Sequence, residues 1–365
     1  MRTRIFITQP IADGAVARLR KVATVKVNPD ASHIISKTAL IAGVRRCDIV
    51  FSLLHDTIDR EVLAANPKLR LVASQSITPD NIDVAEAIKR KIPITVVPPI
   101  VAEAAADLTF GLMLMAARRM VEADRLVHKG RFPGSQSNYL VGTAVYGKTI
   151  GLIGGGGRIG TRVARRAHGF GMRALYWSPR RKPESLEHEF AMTYVPLDQL
   201  LQESDFVSVH SPLKPETIHQ IGARELALMK PSAYLINTAR GAIVDAVALT
   251  RALKKRQIAG AGLDVFEHEP KVTPALLKMP NVVTTPHLGS AVGEVREQMA
   301  NIVVDNILAL LAGKVPPNCI NPEVLRESSM AGGWRVTDGA VLDRDYRQPV
   351  SLARPRKGRA PARRS

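Results

Sequence analysis

The 365-residue chain contains two cysteines, Cys47 and Cys319, and only 33 acidic residues against 51 basic ones. Two isolated cysteines exclude a disulfide framework and offer no paired spacing for zinc or thiol redox chemistry. No metal is therefore expected, and a reducing, cytoplasmic setting is. Aromatic residues are 4% of the chain, so its cores must be built from Val, Leu, Ile and Ala. Long apolar runs are missing too. The opening "MRTRIFITQP" has no apolar stretch of secretory length. The most apolar segment, "IVAEAAADLTFGLMLMAARR" at 100–119, carries Glu103 and Asp107. It predicts a helix buried at a domain or subunit interface, not a membrane span. The shortage of acid leaves a formal charge of +18. Six of those charges sit in the last twelve residues, "RPRKGRAPARRS", which contain no acid; without them the charge is still +12. Such a balance favours anionic ligands. No helix-turn-helix pattern or aromatic-basic interleaving accompanies it, so no specific nucleic-acid partner is expected.

What is present is alternation. The β-rich runs "RIFITQP", "TVKV", "DIVFSLL", "RLVASQS" and "IPITVVP" are separated by helical stretches within the first hundred residues. That order implies parallel strands with right-handed crossovers. A helix over about 101–129 and a loop over 130–147 follow. A second set has strands at 149–153, 173–177, 205–209, 233–237, 259–263 and 281–284. The fold class is α/β: two Rossmann-like or flavodoxin-like domains with doubly wound parallel sheets and a cleft between them. Residues 1–100 form a substrate domain, completed by 288–321. Residues 101–287 form a dinucleotide domain, and 322–365 an irregular basic tail. The long helix at 290–312 is expected to return to the first domain.

The stretch "LIGGGGRIG", residues 152–160, fits G-x-G-x-x-G in one register only: Gly155, Gly157 and Gly160. An apolar strand precedes it and a helical pattern follows, which is the context a dinucleotide fingerprint needs. Gly155 would permit the turn, Gly157 close approach of a pyrophosphate, and Gly160 packing of helix on strand. The phosphates would rest on N–H groups at the helix start, around Arg158 and Ile159. An acid about 20 residues further on would bind a ribose 2′-hydroxyl. Eighteen residues beyond Gly160 stands Ser178 instead, followed by Arg180, Arg181 and Lys182 in "LYWSPRRKPE". A hydroxyl and guanidiniums suit a 2′-phosphate, so NADPH is expected, with NADH weaker.

Three polar residues stand at the ends of later strands: Arg240 after "LINTA", Glu269 after "GLDVFEH" and His287 after "VVTTP". Carboxyl ends of strands in an open parallel sheet are where ligands sit. Arg240 offers a forked cation to a carboxylate and its neighbouring carbonyl. His287 can give a proton to that oxygen as hydride reaches carbon. Glu269 would orient the ring and favour imidazolium.

With those residues in place the chain resembles the D-isomer-specific 2-hydroxyacid dehydrogenases, and within them the glyoxylate/hydroxypyruvate reductases. The matching stretches are "GLIGGGGRIGTRVARRAHGFGM", "PLKPETIHQIGARELALMKPSAYLINTARGAIVD", "AGAGLDVFEHEP" and "NVVTTPHLGSA", within residues 48–322. The resemblance implies that Arg240, Glu269 and His287 are the catalytic set, and that Asp264 holds the nicotinamide carboxamide. It further implies cofactor contacts from Pro212, Thr217, Thr238 and Gly289, and substrate contacts from Gln75, Ser76, Ile77 and Ser290. A homodimer joined through the long helix after residue 100 is implied as well. Two departures stand out. The glycine turn carries an extra Gly, and the substrate loop "SQSITPDNID" has Ser76 and Thr78 where members of the family commonly have glycine. The reaction expected is NADPH-dependent reduction of a small 2-oxo acid, such as glyoxylate or hydroxypyruvate, to the D-2-hydroxy acid. The alternatives are a dinucleotide-sensing corepressor, or phosphite or another 2-hydroxyacid oxidised within the same family. Formate oxidation is disfavoured by Glu269.

Overall fold

The computed structural model describes residues 2–325; residues 326–365, which hold most of the basic tail, lie outside the described residues. The described residues divide into two compact units, one of residues 2–98 with 297–325 and one of Pro99–Arg296.

The first unit is built on five strands: β1 Arg4–Ile7, β2 Thr24–Val27, β3 Ile49–Ser52, β4 Leu71–Ser74 and β5 Ile94–Thr95. All pairings are parallel, in the order β2-β1-β3-β4-β5. β3 and β4 are buried along their whole length. Such continuous burial is why they read as unbroken apolar runs and not as alternation. The helix Gly293–Leu311 joins this unit beyond its first turn. It buries Met299, Val303, Val304, Ile307 and Leu310. Arg18 holds its outer side by hydrogen bonds to Asn301 at 2.7 Å and Asp305 at 2.6 Å. The chain then closes the β5 edge. Asn321 accepts from the Ile94 N–H at 2.7 Å and donates to the Ile92 carbonyl at 2.9 Å.

The second unit carries seven parallel strands: β6 Thr149–Ile153, β7 Arg173–Trp177, β8 Met192–Tyr194, β9 Phe206–Val209, β10 Tyr234–Asn237, β11 Gly260–Leu263 and β12 Val282–Thr284. Their order is β12-β11-β10-β9-β6-β7-β8. The order reverses between β6 and β9, and that switch point opens a crevice at the strands' carboxyl ends. β8 was not expected from sequence. It is three residues long and follows Ala191 in the left-handed region, so no periodicity betrays it.

The expected single helix over 101–129 is two helices, Ala102–Ala117 and Met120–His128. Arg119 breaks it by adopting a left-handed φ of 53°. The first helix buries Ala102, Ala104, Ala105, Ala106, Phe110, Leu112 and Met113 inside the second unit. Gly262 of β11 makes room for it, since a Cβ there would lie 3.0 Å from Leu112 Cβ. Its Glu103 and Asp107 face the helix Arg158–Gly169 and pair with Arg165 and Arg166. The acids that argued against a membrane span therefore serve helix–helix packing. The second helix buries no residue and leaves Met120 and Val127 exposed. Among the described residues no helix is long and apolar enough to cross a membrane.

Candidate active site

The glycine turn lies between β6 and the helix Arg158–Gly169, whose N-cap is Gly157. The residue that needs glycine for its backbone is Gly154, at φ 77°, not Gly155 as expected from the spacing. A Cβ on Gly154 would lie 2.7 Å from the Ser211 N, so the turn also presses against the end of β9. Gly155 serves packing. A Cβ on it would lie 2.6 Å from Tyr176 Cβ. Gly160 abuts the turn itself, with 2.4 Å between a hypothetical Cβ and the Gly155 carbonyl oxygen. The N–H groups of Gly155 and Gly157 are engaged within the turn, by the Leu152 and Gly154 carbonyls. What faces a ligand is the first turn of the helix, at Arg158 and Ile159, whose N–H groups have no partners inside the helix. A side-chain-free turn leading into open amide donors is the cradle that a pyrophosphate fits.

After β7 the loop 178–182 is tightly pinned. Ser178 Oγ donates to the Arg180 carbonyl at 2.7 Å. Arg181 grips Glu187 with both arms of its guanidinium, at 2.9 and 2.8 Å. Glu187 also accepts from Tyr176 Oη at 2.7 Å, and that phenol oxygen accepts from the Lys182 N–H at 2.9 Å. The Arg181 guanidinium, and then Tyr176, hold the Glu187 carboxyl at about 2, well below its usual 4.5. No carboxylate stands at the end of β7. Arg181, expected as a phosphate ligand, has its charge balanced by Glu187. Sequence reading passed over Glu187 because it falls six residues beyond Arg181 in an ordinary charged helix; only the fold turns it inward.

The catalytic candidates sit at the ends of β10, β11 and β12. Asn237, the last residue of β10, shapes the Arg240 turn. Its side chain accepts from Ala239 N–H and donates to the Arg240 carbonyl, both at 3.0 Å. Arg240 itself donates to the Ala239 carbonyl at 2.8 Å. Gly241 follows because nothing larger fits: a Cβ there would lie 1.9 Å from the Phe266 carbonyl carbon. The Arg240 turn therefore lies directly on the Phe266–Glu267 backbone. The Phe266 N–H in turn donates to Glu269 Oε1 at 2.8 Å. Glu269 Oε2 meets His287 Nδ1 at 2.8 Å. Glu269 and His287 are thus a bonded pair, with side chains only 18% and 16% exposed.

His287 adopts a left-handed φ of 57°. Its segment is held by Asp264, which is fully enclosed at the end of β11. The Asp264 carboxylate accepts from Thr285 Oγ1 at 2.6 Å, Leu288 N–H at 2.7 Å and Gly289 N–H at 2.9 Å. Its carbonyl takes the His287 N–H at 2.9 Å. The visible task of Asp264 is to hold the His287 loop, and the sequence did not disclose that. Ser290 continues the loop and accepts from Arg296 Nε at 3.0 Å through its carbonyl. Thr238 is buried against Thr109, with hydroxyls 2.9 Å apart. Thr217 Oγ1 donates to the Pro212 carbonyl at 2.8 Å, bracing the loop after β9.

Gln75, Ser76 and Ile77 belong to the other unit, directly after β4. The Gln75 N–H donates to the Ser52 carbonyl at 2.9 Å. Ser76 is buried. Its hydroxyl lies 2.7 Å from Ser74 Oγ and 2.6 Å from the Thr78 carbonyl, and its own carbonyl takes the Val97 N–H at 2.8 Å. The hydroxyl at 76 ties the loop to itself.

A glycine cradle at the switch point of a parallel sheet, with an Arg turn and a Glu–His pair at neighbouring strand ends, defines a dinucleotide-dependent oxidoreductase. Residues 110–289 match the model of the D-isomer specific 2-hydroxyacid dehydrogenase NAD binding domain. The chain is 45% identical over 332 residues to a glyoxylate reductase of Thermococcus litoralis, covering 90% of this chain and 99% of that one. It is 47% identical over 329 residues to a glyoxylate reductase of Korarchaeum cryptofilum, covering 89% and 98%. Among solved structures it resembles an NADPH-dependent glyoxylate/hydroxypyruvate reductase of Sinorhizobium meliloti in complex with NADP and malonate. The TM-score is 0.70 and the identity 32%, with 86% of this chain and 96% of that one covered. The chain belongs to the D-isomer specific 2-hydroxyacid dehydrogenases and is an oxidoreductase using a nicotinamide dinucleotide.

Proposed function

We propose that this protein reduces a small 2-oxo acid, of the size of glyoxylate or hydroxypyruvate, to the D-2-hydroxy acid with NADPH. The observation that carries the chemistry is the Glu269–His287 pair at 2.8 Å, braced on its far side by the Phe266 N–H. When bound, the dinucleotide supplies a hydride. The chain's own residues do the rest. Arg240 binds the carboxylate and polarises the adjacent carbonyl. His287 moves the proton on Nε2 to the carbonyl oxygen as negative charge develops there. Glu269 keeps Nδ1 bonded, fixes the ring plane and balances the charge of the protonated ring. Asp264 acts one step back, by holding the loop from which His287 projects. Gln75, Ser76 and Ile77 are proposed as substrate contacts, on a loop that the Ser76 hydroxyl ties to itself.

The preference for NADPH rests on the end of β7, where Ser178 occupies the position of a ribose-binding acid and Arg180 follows. A carboxylate would repel a 2′-phosphate, and here there is none. The Sinorhizobium meliloti relative, described in complex with NADP and malonate, a small dicarboxylate, supports the same reading. A homodimer is proposed through the helix Met120–His128, which buries nothing within its own unit yet carries exposed Met120 and Val127. Initial rates with glyoxylate and hydroxypyruvate, each with NADPH and NADH, test the reading. Turnover with both acids and a higher kcat/KM for NADPH is expected. Dinucleotide binding without turnover of any 2-oxo acid would favour a sensing role instead, and a preference for NADH would remove the assignment of Ser178 and Arg180.

A further inference from the structure

The run of four glycines leaves one unexplained. Gly154 has the left-handed backbone, Gly155 packs on Tyr176 and Gly157 caps the helix. Gly156 does none of these, and its φ lies outside the left-handed region. What occupies its missing side chain is Lys182. A Cβ on Gly156 would lie 2.5 Å from Lys182 Cγ, 2.8 Å from Cε and 3.2 Å from Cδ. The lysine stem therefore lies across the turn, in the space a residue other than glycine would fill.

This seat is built. The Lys182 N–H is bonded to Tyr176 Oη at 2.9 Å, and the preceding residue is clamped through Arg181 to Glu187. Pro183 follows at φ −56° and opens the next helix. The backbone at 182 is thereby fixed from both sides, and the apolar stem is packed on the glycine. Arg181 gives its charge to Glu187, whereas the Lys182 ammonium has no carboxylate partner among the described residues. An ammonium held over the turn without a counter-anion is placed for a phosphate oxygen.

We propose that Lys182, seated on Gly156, is a phosphate-binding cation for the dinucleotide, and that Arg181 is the strut that aims it. The phosphate can be the pyrophosphate over the helix N-terminus or a 2′-phosphate at the end of β7. The inference needs only the dinucleotide binding of the family, not the assignment of a 2-oxo acid. Titration of the full chain with NADPH and with NADH, followed by fluorescence, tests it on Lys182→Met and Gly156→Ala. The methionine keeps the stem and removes the charge. The alanine keeps the charge and displaces the stem. Each is expected to weaken binding by about tenfold or more, as for the loss of one charge-assisted hydrogen bond. Combining them should add little, because both remove one contact. A loss confined to NADPH assigns Lys182 to the 2′-phosphate, and an equal loss with both dinucleotides assigns it to the pyrophosphate. Unchanged affinity of Lys182→Met for both overturns the proposal, even if Gly156→Ala binds poorly, since the turn alone would then be responsible. Lys182→Met at unchanged affinity but with glyoxylate still reduced would leave the proposed function standing without this residue.

Discussion

His287 and Glu269 make the sharpest residue-scale prediction. Removing a positioned general acid costs roughly 10²–10⁴-fold in rate. His287→Ala should therefore lose that much in kcat while its dinucleotide affinity, read by titration, stays within a few fold. Glu269→Gln keeps a hydrogen-bonding oxygen for the Phe266 N–H but loses the charge, and should fall between wild type and His287→Ala. Gly241 is a different kind of residue. It has no side chain to do chemistry, yet a Cβ would sit 1.9 Å from the Phe266 carbonyl carbon. Gly241→Ala should cost about 1–3 kcal/mol by overpacking, visible as a lower melting temperature. It should also raise KM for the oxo acid, because the backbone it displaces carries both Arg240 and the donor to Glu269. The places of Arg240, Glu269 and His287 after the ends of β10, β11 and β12 were legible in sequence because each follows a strand run closely. The residues that hold them were not. Asp264 was singled out by the resemblance for a different task, and its bonds to the His287 loop, like those of Phe266 and Asn237, are enclosed or made to backbone groups and leave no mark on spacing.

At the scale of elements, central strands such as β3, β4, β9 and β10 were legible because burial on both faces turns each into an apolar run. β8 escaped notice because three residues with one buried position have no pattern to show. The break at Arg119 escaped because nothing in "MAARRM" is a helix breaker; the bend comes from an arginine in the left-handed region, whose side chain pairs with Glu122 beyond the break. The loop after β7 allows a pH prediction. Glu187 titrates at about 2 in the folded chain against a usual 4.5, through Arg181 and Tyr176. A carboxyl depressed on folding contributes stability that is present above 4.5 and lost as pH falls from there towards 2. Glu187→Gln should thus melt lower near neutrality, and its melting temperature should fall less than that of wild type between those two pH values. Parallel melting curves for the two proteins would show that the Arg181–Glu187 pair contributes nothing.

At the scale of the whole molecule, the shortage of acid noted first now has a place to act. Arg158 opens the helix after the glycine turn and Lys182 lies on Gly156, and each adds attraction for a polyphosphate ligand. Dinucleotide affinity should accordingly weaken as salt rises, and the dependence should be shallower in Lys182→Met. The exposed Met120 and Val127 predict self-association. Sedimentation should give a dimer, and Val127→Asp should shift it towards monomer with the melting temperature reduced. The central claim is that hydride transfer to a 2-oxo acid is completed by a proton from His287. It is tested most directly by single-turnover reaction of NADPH-loaded protein with hydroxypyruvate, resolving the product enantiomers. D-glycerate alone is expected, in amount equal to the dinucleotide oxidised, at a rate cut roughly 10²–10⁴-fold in His287→Ala. L-glycerate, or an unchanged rate in His287→Ala, would contradict it.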